Sequence, residues 1–151
     1  MFATLPLMLF AGLAAAKSYQ IRAVQDPIFH YYLQAYPSDP SIAVMGPDTS
    51  SEYFDIDGTI QSANTTRYLN IGSETTSYKT LTFGNSSTTD AWALEGDTII
   101  TSTGSTWGRQ LNFLACQLDT TYWQIYFQTG SDVPSGETCS NYQSLHLPCL
   151  C

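Results

Sequence analysis

The chain has 151 residues, with 13 acidic and 5 basic side chains and a formal net charge of −8 at pH 7. This balance argues against nucleic acid or an anionic membrane surface as a partner, because both need clustered basic residues. Charged residues are only 12% of the chain and Ser, Thr and Tyr are abundant, as in many extracellular proteins.

Residues 1–16 predict a cleaved secretory signal peptide. Positions 2–16 are apolar or small apart from Thr4, and residues 14–16 are alanines, which suit a signal cleavage site. The stretch is too short for a membrane span, and the tail beyond Cys139 is too short and polar for a lipid-anchor signal. We therefore expect a secreted protein without a membrane anchor, with one all-β domain at residues 17–151.

Twelve short β-strands are predicted along that domain. Aromatic and β-branched residues alternate with polar ones, and clusters of Gly, Pro, Asp, Asn and Ser separate these runs. No window carries a sustained helical period with caps. The predicted strands cover residues 19–24, 31–36, 42–45, 53–56, 59–62, 68–71, 79–83, 91–94, 98–101, 111–117, 122–128 and 144–147.

A pattern that occurs twice organises these strands. In residues 54–60 and again in residues 92–99, an aromatic-led strand precedes an acidic–Gly turn and an Ile-containing strand. Such a spacing is typical of repeats in closed β architectures. Three blocks of about four strands, at 18–63, 64–105 and 106–151, predict a β-trefoil-like fold with a disulfide-stapled C-terminus. A β-sandwich or another barrel is the alternative, and the third block lacks the acidic–Gly turn.

All four cysteines lie near the end of the chain, at Cys116, Cys139, Cys149 and Cys151. An even count in an oxidising compartment predicts disulfides. Direct closure of Cys149 with Cys151 would strain the short loop between them. We therefore expect Cys116 and Cys139 to pair with Cys149 and Cys151, in either order. A zinc site is the weaker alternative, because thiolate ligand pairs usually come as Cys-x₂₋₄-Cys.

Two N-glycosylation sequons begin at Asn64 and Asn85. Both lie in polar stretches between predicted strands, where an acceptor side chain is exposed. In a secreted chain we expect both asparagines to carry glycans.

The run from Trp92 to Cys149 contains a spaced set of aromatic and cysteine motifs. They are Trp92-x-Leu94-Glu95-Gly96, Leu114-Ala115-Cys116, Tyr122-Trp123-Gln124-Ile125-Tyr126, Val133-Pro134-Ser135-Gly136, Cys139 and Cys149. With these motifs the run resembles the C-terminal half of small fungal cell-wall proteins of the PhiA type. It is similar, more loosely, to the cysteine-containing C-terminal domain of the yeast Pir cell-wall proteins. The resemblance implies a secreted fungal protein of the cell wall, without enzyme activity, whose partners are wall polysaccharide (β-glucan or mannan) or mannoproteins.

Pir proteins are attached to β-1,3-glucan through glutamine-containing repeats, and residues 57–61 are similar to part of such a repeat. The resemblance implies Gln61 as a wall-attachment residue. Thr59 stands where the repeat has a glutamine, and there is no tandem array. A β-hairpin turn is the alternative interpretation of these residues.

No catalytic motif is present, and we expect no catalytic residue, cofactor or metal. His30 and His146 have apolar neighbours, which favours structural or surface roles. Two carboxylate pairs, one at Asp55 and Asp57 and the other at Glu95 and Asp97, could serve glycoside hydrolysis, but turn-forming and surface roles explain them more simply.

Surface recognition is the expected activity. Sugar-binding sites commonly place an aromatic face against the pyranose ring. Trp107, in a Ser/Thr/Gly loop, is the aromatic residue least explained by strand packing, followed by Tyr36 and Tyr122, whereas Trp92 and Trp123 are expected in the core. We therefore predict a glycan-binding or structural wall glycoprotein. A soluble β-trefoil lectin or host-directed secreted effector is the alternative, and a glycan-active enzyme is a remote one.

Overall fold

The computed structural model describes residues 17–148, so the predicted signal peptide, Cys149 and Cys151 lie outside the described residues. The described chain forms short β-strands and one 3-10 turn at Asp48–Ser50. The strands are β1 Arg22–Ala23, β2 Tyr32–Tyr36, β3 Asp39–Gly46, β4 Phe54–Asp57, β5 Thr59–Ser62, β6 Tyr68–Ile71, β7 Tyr78–Gly84, β8 Trp92–Glu95, β9 Thr98–Thr101, β10 Phe113–Gln117, β11 Trp123–Gln128, β12 Cys139–Gln143 and β13 Leu145–His146.

The all-β prediction is confirmed, and three strands have the predicted bounds: β5, β6 and β9. The sequence reasoning missed β12, whose residues Cys-Ser-Asn-Tyr-Gln lack an apolar alternation. This strand forms because it pairs with β10, a contact between distant parts of the chain. Within residues 17–148, no helix has the length and apolarity that a membrane crossing requires.

The strands form one antiparallel sheet that curves into a nearly closed barrel. From β4 the hydrogen-bonded neighbours run through β5, β6, β7, β11, β3, β2, β1, β13 and β9 to β8, while β10 pairs with β11 and β12. An isolated bridge between Gly58 and Trp92 draws the two ends of this order together, and a second bridge joins Tyr19, before β1, to Phe54 of β4. The barrel named as the alternative from the sequence therefore fits this architecture.

The two acidic–Gly turns predicted from the sequence are present. Gly58 joins β4 to β5 at φ 70°, and Gly96 lies between β8 and β9 at φ 61°. Such positive φ values cost little for glycine, which has no Cβ. Because β8 ends before Gly96, Glu95 and Asp97 do not lie on one continuous strand, contrary to the alternative in which they share a strand face.

The described residues share one main apolar core, which contains a cluster of packed aromatic rings. Trp92 stacks on Phe113 at 6.4 Å between ring centroids, and both rings contact Phe127 edge-on. The indole N–H of Trp92 donates to the Leu69 carbonyl at 3.1 Å. Trp92 and Trp123 are only 2% and 9% exposed, so their predicted core positions are confirmed.

The predicted disulfide pairing was wrong. Cys116 is bonded to Cys139, rather than either being bonded to Cys149 or Cys151. The register explains the pairing, because β10 and β12 are antiparallel and place Cys116 directly opposite Cys139. Both sulfurs are therefore oxidised, which removes them as thiolate ligands for the alternative zinc site. A disulfide in the C-terminal part of the chain is confirmed.

Candidate functional site

An open cavity of about 850 Å³ lies between the β6–β7 hairpin and the loop that follows β9. We call it the Trp107 groove. Its lining combines one indole ring with several hydroxyl groups, one amide, one carboxylate and one ammonium group. The lining residues are Asn70, Ile71, Gly72, Ser73, Glu74, Lys79, Thr82, Thr88, Thr106 and Trp107.

Trp107 is held in place by its own loop and by the core. Thr101 Oγ1 donates to the Gly108 carbonyl at 2.7 Å, and Gly108 N donates to the Ser105 carbonyl at 3.0 Å. The indole ring meets Phe127 edge-on at 5.8 Å between centroids. Trp107 is half-buried, so its position is fixed while part of the side chain faces the groove.

Lys79 and Glu74 provide the charged groups of the groove, and both are held by hydrogen bonds. Lys79 Nζ donates to the carbonyls of Glu74 at 2.7 Å and Thr76 at 3.1 Å. Burial acts to raise the pKa of Glu74, but hydrogen bonds from the Thr80 hydroxyl and backbone N–H outweigh it, and the pKa lies below its ordinary value. Glu74 is therefore an ionised acceptor at neutral pH.

Asn70 fixes another part of the groove wall. Its Nδ2 donates to the Ser86 carbonyl at 2.8 Å, and its Oδ1 accepts from the backbone N–H of Thr88 at 2.9 Å. Asn70 is 8% exposed, and its bonds hold the segment after β7 against β6. These hydrogen bonds fix the wall of the groove, and a fixed wall limits the entropy lost on binding.

Tyr36 and Tyr122, predicted separately as glycan contacts, lie together and apart from the Trp107 groove lining. Their rings meet edge-on at 5.6 Å, and Tyr36 OH donates to Asp119 Oδ2 at 2.9 Å. Asp119 Oδ1 accepts from the backbone N–H of Thr121 and Tyr122 at 2.8 and 2.7 Å. This cluster links the tips of the β2–β3 and β10–β11 hairpins. Both phenol rings remain partly exposed, so their glycan contact stays a prediction.

We expect the pKa of the Asp119 carboxyl group to depend in part on its hydrogen bond from Tyr36. The backbone N–H groups of Thr121 and Tyr122 are the main cause that lowers its pKa, and the Tyr36 hydroxyl adds a smaller effect. Tyr36→Phe should therefore raise the pKa only partly, leaving it below the ordinary value of 3.8 in an NMR titration. A folded-state pKa below the unfolded value means that this contribution to stability is lost as the pH falls through it. A return to the ordinary value in the variant would show that the hydroxyl, not the turn, dominates.

Both sequon asparagines are exposed and lie outside the strands. Asn64 Oδ1 accepts from the backbone N–H of Tyr53 at 2.9 Å. Gln61, the predicted wall-attachment residue, lies on β5, and its Nε2 donates to the Thr66 carbonyl at 3.0 Å. The structure therefore gives both sequons the exposure that modification needs, and it gives Gln61 a role in the β5–β6 connection.

Three of the four carboxylates considered for glycoside hydrolysis have partners of their own. Asp55 accepts from the Ser18 hydroxyl at 2.7 Å, and Glu95 forms a two-bond ion pair with Arg109. Asp97 Oδ1 lies 3.3 Å from His146 Nδ1. Each of these three carboxylates therefore has a structural partner within the described residues.

No protein-family model, curated protein or solved structure matches the chain.

Sequence reasoning identified Trp107 but missed the polar residues that face it. Asn70, Lys79 and Thr82 belong to β6 and β7, where the sequence gives only strand alternation. Their proximity to Trp107 depends on how the β6–β7 hairpin packs beside the loop after β9. A tryptophan in a polar loop was the one local signal available.

Proposed function

We propose that this protein is a secreted, non-enzymatic glycoprotein of the fungal cell wall that binds wall polysaccharide in the Trp107 groove. The observation that carries the proposal is a half-buried indole ring fixed at the edge of an open groove that also presents hydroxyl and charged side chains. The fungal wall assignment itself rests on the resemblance of residues 92–149 to wall proteins.

The chemistry of the groove favours a neutral sugar chain. An indole ring offers an apolar face to the C–H groups of a pyranose, while Glu74, Ser73 and Thr82 offer acceptors and donors to its hydroxyls. The net charge of −8 disfavours polyanionic ligands. β-Glucan or mannan therefore fits better than an acidic polysaccharide.

Trp107→Ala is expected to weaken binding of soluble β-glucan or mannan oligosaccharides about tenfold or more, since buried aromatic anchors dominate such contacts. Trp107→Phe should lose less, because it retains an aromatic face. Calorimetric titration measures both variants, with thermal unfolding to show that each is folded. Tyr142→Ala is the matched control, because Tyr142 is 53% exposed and does not line the groove. Equal binding by Trp107→Ala and the parent protein would refute the groove as the site.

We propose further that the barrel is a β-trefoil, with units β1–β4, β5–β8 and β9–β13. These boundaries differ from the blocks 18–63, 64–105 and 106–151 expected from the sequence, because β5 and β9 now begin the second and third units. Ile21, Ile60 and Ile99 support this division. Each lies within one residue of the start of its unit, each is at most 1% exposed, and the spacing is 39 in both cases (60 − 21 and 99 − 60). Two residues later, Ala23, Ser62 and Thr101 each donate a backbone N–H across the following loop, to Tyr31, Arg67 and Gln110.

The hairpins support the same division. The second strands of the β2–β3, β6–β7 and β10–β11 hairpins pair with one another in a closed triangle, through β3–β7, β7–β11 and β11–β3. In this proposal the Gly58 and Gly96 turns join consecutive units. The third junction is formed by β13 pairing with β1, so no third acidic–Gly turn is needed. An experimental structure in which the three units superpose poorly would refute the trefoil.

Wall fractionation distinguishes a wall-associated protein from a soluble lectin, which a β-trefoil fold would also suit. Walls from a fungus expressing the tagged protein are extracted in sequence with hot detergent, reductant, mild alkali and β-1,3-glucanase. Release by detergent indicates that non-covalent binding retains the protein in the wall. We expect Trp107→Ala to reduce this retention. Release only by alkali or glucanase indicates a covalent link, which Gln61→Ala should abolish. Recovery only from the medium would replace the wall role with that of a soluble lectin or effector.

The proposed absence of catalysis has its own test. Purified protein incubated with β-glucan, chitin or mannan is expected to release no reducing sugar. Release that disappears in the Glu95→Gln or Asp97→Asn variant would overturn the proposal in favour of a glycan-active enzyme.

A further inference from the structure

We propose that Asn64 carries an N-linked glycan whose first N-acetylglucosamine packs against the ring of Tyr53. This inference rests on the secretion of the protein, one part of the proposed function, and is independent of the Trp107 groove and of the wall. It assigns a role to Tyr53, one of the most exposed aromatic side chains of the described chain.

The hydrogen bond between the two residues provides the geometry. Asn64 Oδ1 accepts from Tyr53 N at 2.9 Å, and Ala63 N donates to the Tyr53 carbonyl at 2.8 Å. Nδ2, the atom that a glycan would modify, shares a carbon with Oδ1 and so lies within about 5 Å of Tyr53 N. That distance is comparable to the width of one sugar ring, so the first sugar begins beside Tyr53.

The exposure of the two side chains suits this contact. Tyr53 is 48% exposed, while the next residue, Phe54, is fully buried and anchors the start of β4. Asn64 is exposed in the turn between β5 and β6. The hydrogen bond uses Oδ1, which an N-linked asparagine retains, so the modification leaves the turn intact. An apolar C–H face of the sugar can then cover part of the phenol ring.

The other sequon gives an internal control. Asn85 is exposed in the segment after β7, beside Ser86, whose carbonyl is bonded to Asn70. No hydrogen bond in the described residues joins Asn85 to an exposed aromatic residue. A glycan on Asn85 should therefore show no energetic coupling to Tyr53.

The experiment is a thermal unfolding cycle on protein secreted from a glycosylating eukaryotic host with a leader of that host. Four proteins are compared: the parent, Tyr53→Ala, Thr66→Ala and the double variant. Thr66→Ala removes the sequon but keeps Asn64 and its bond to Tyr53. Mass spectrometry gives the occupancy of Asn64, and endoglycosidase trimming leaves a single N-acetylglucosamine on each site.

We expect Asn64 to be occupied and Tyr53→Ala to lower Tm by about 3 °C more in the glycosylated protein than in the Thr66→Ala background. The extra loss of Tm should persist after the glycan is trimmed to one sugar. Tyr53→Phe should keep the stabilisation by the sugar, because it keeps the aromatic ring. In the Asn85→Gln background the extra loss of Tm caused by Tyr53→Ala should be unchanged. An unoccupied Asn64, or equal Tm losses with and without the sugar, would overturn the proposal. Because neither wall nor ligand enters the measurement, failure here is distinct from failure of glycan binding.

Discussion

Trp92→Ala is expected to lower the free energy of unfolding by about 4 kcal/mol, because it removes a large aromatic side chain from the packed core. The substitution removes the indole ring between Phe113 and Phe127 and leaves the Leu69 carbonyl without its indole donor. Domains of this kind have total stabilities of about 5–15 kcal/mol, so the variant should lose a large share of its stability. Denaturant titration followed by tryptophan fluorescence and circular dichroism measures the loss.

Trp92→Phe separates the two contributions to that loss. It retains an aromatic ring in the core but removes the N–H donor, and we expect a cost of about 1–2 kcal/mol. Trp107→Phe is a useful comparison, because it replaces another indole that is only half-buried. A Trp92→Ala variant as stable as the parent would mean that this ring does not organise the barrel core.

Removal of the Cys116–Cys139 bond is expected to lower the free energy of unfolding by about 3 kcal/mol. The two cysteines are 23 positions apart, and closing a loop of that length restricts the unfolded chain by about this amount. The variant to make is Cys116→Ala with Cys139→Ala, since a single substitution would leave a reactive thiol. Guanidinium titration of the variant and the parent measures the difference in the free energy of unfolding.

Peptide mapping provides the control for this measurement. Digestion of the parent protein under non-reducing conditions should yield one peptide pair linked through Cys116 and Cys139. A pair linking either residue to Cys149 or Cys151 would contradict the register of β10 with β12. A loss below about 1 kcal/mol would indicate that the pairing of these strands already restricts the chain without the bond.

Local patterns predicted the elements of this fold better than their arrangement. The Asp57-Gly58 turn and the β5 and β6 strands follow from alternation and turn residues close in sequence. Cys139–Gln143 is polar and forms a strand only because β10 supplies its partner. For the same reason the disulfide could not be derived from spacing, since the pairing depends on a strand that the local sequence does not indicate.

The residues of the candidate site also divide into those that the local sequence indicates and those that only the fold brings together. Trp107 was predicted because a tryptophan in a Ser/Thr/Gly loop has no strand to explain it. Tyr36 and Tyr122 are far apart in sequence, and only the packing of two hairpin tips shows that they form one cluster around Asp119. Lys79 and Asn70 carried no local signal, because strand residues with polar side chains usually face solvent.

The pairing of β1 with β13 has a consequence for the order of folding during synthesis. Arg22 and Ala23 lie opposite His146 and Leu145, and β13 also pairs with β9. The ribosome therefore completes nearly the whole described chain before these contacts can form, while local hairpins such as β4–β5 can form much earlier. Contacts between distant parts of a chain slow folding and prolong the exposure of unpaired strand edges. Until β13 emerges, one edge of β1 and one edge of β9 therefore stay unpaired in the nascent chain.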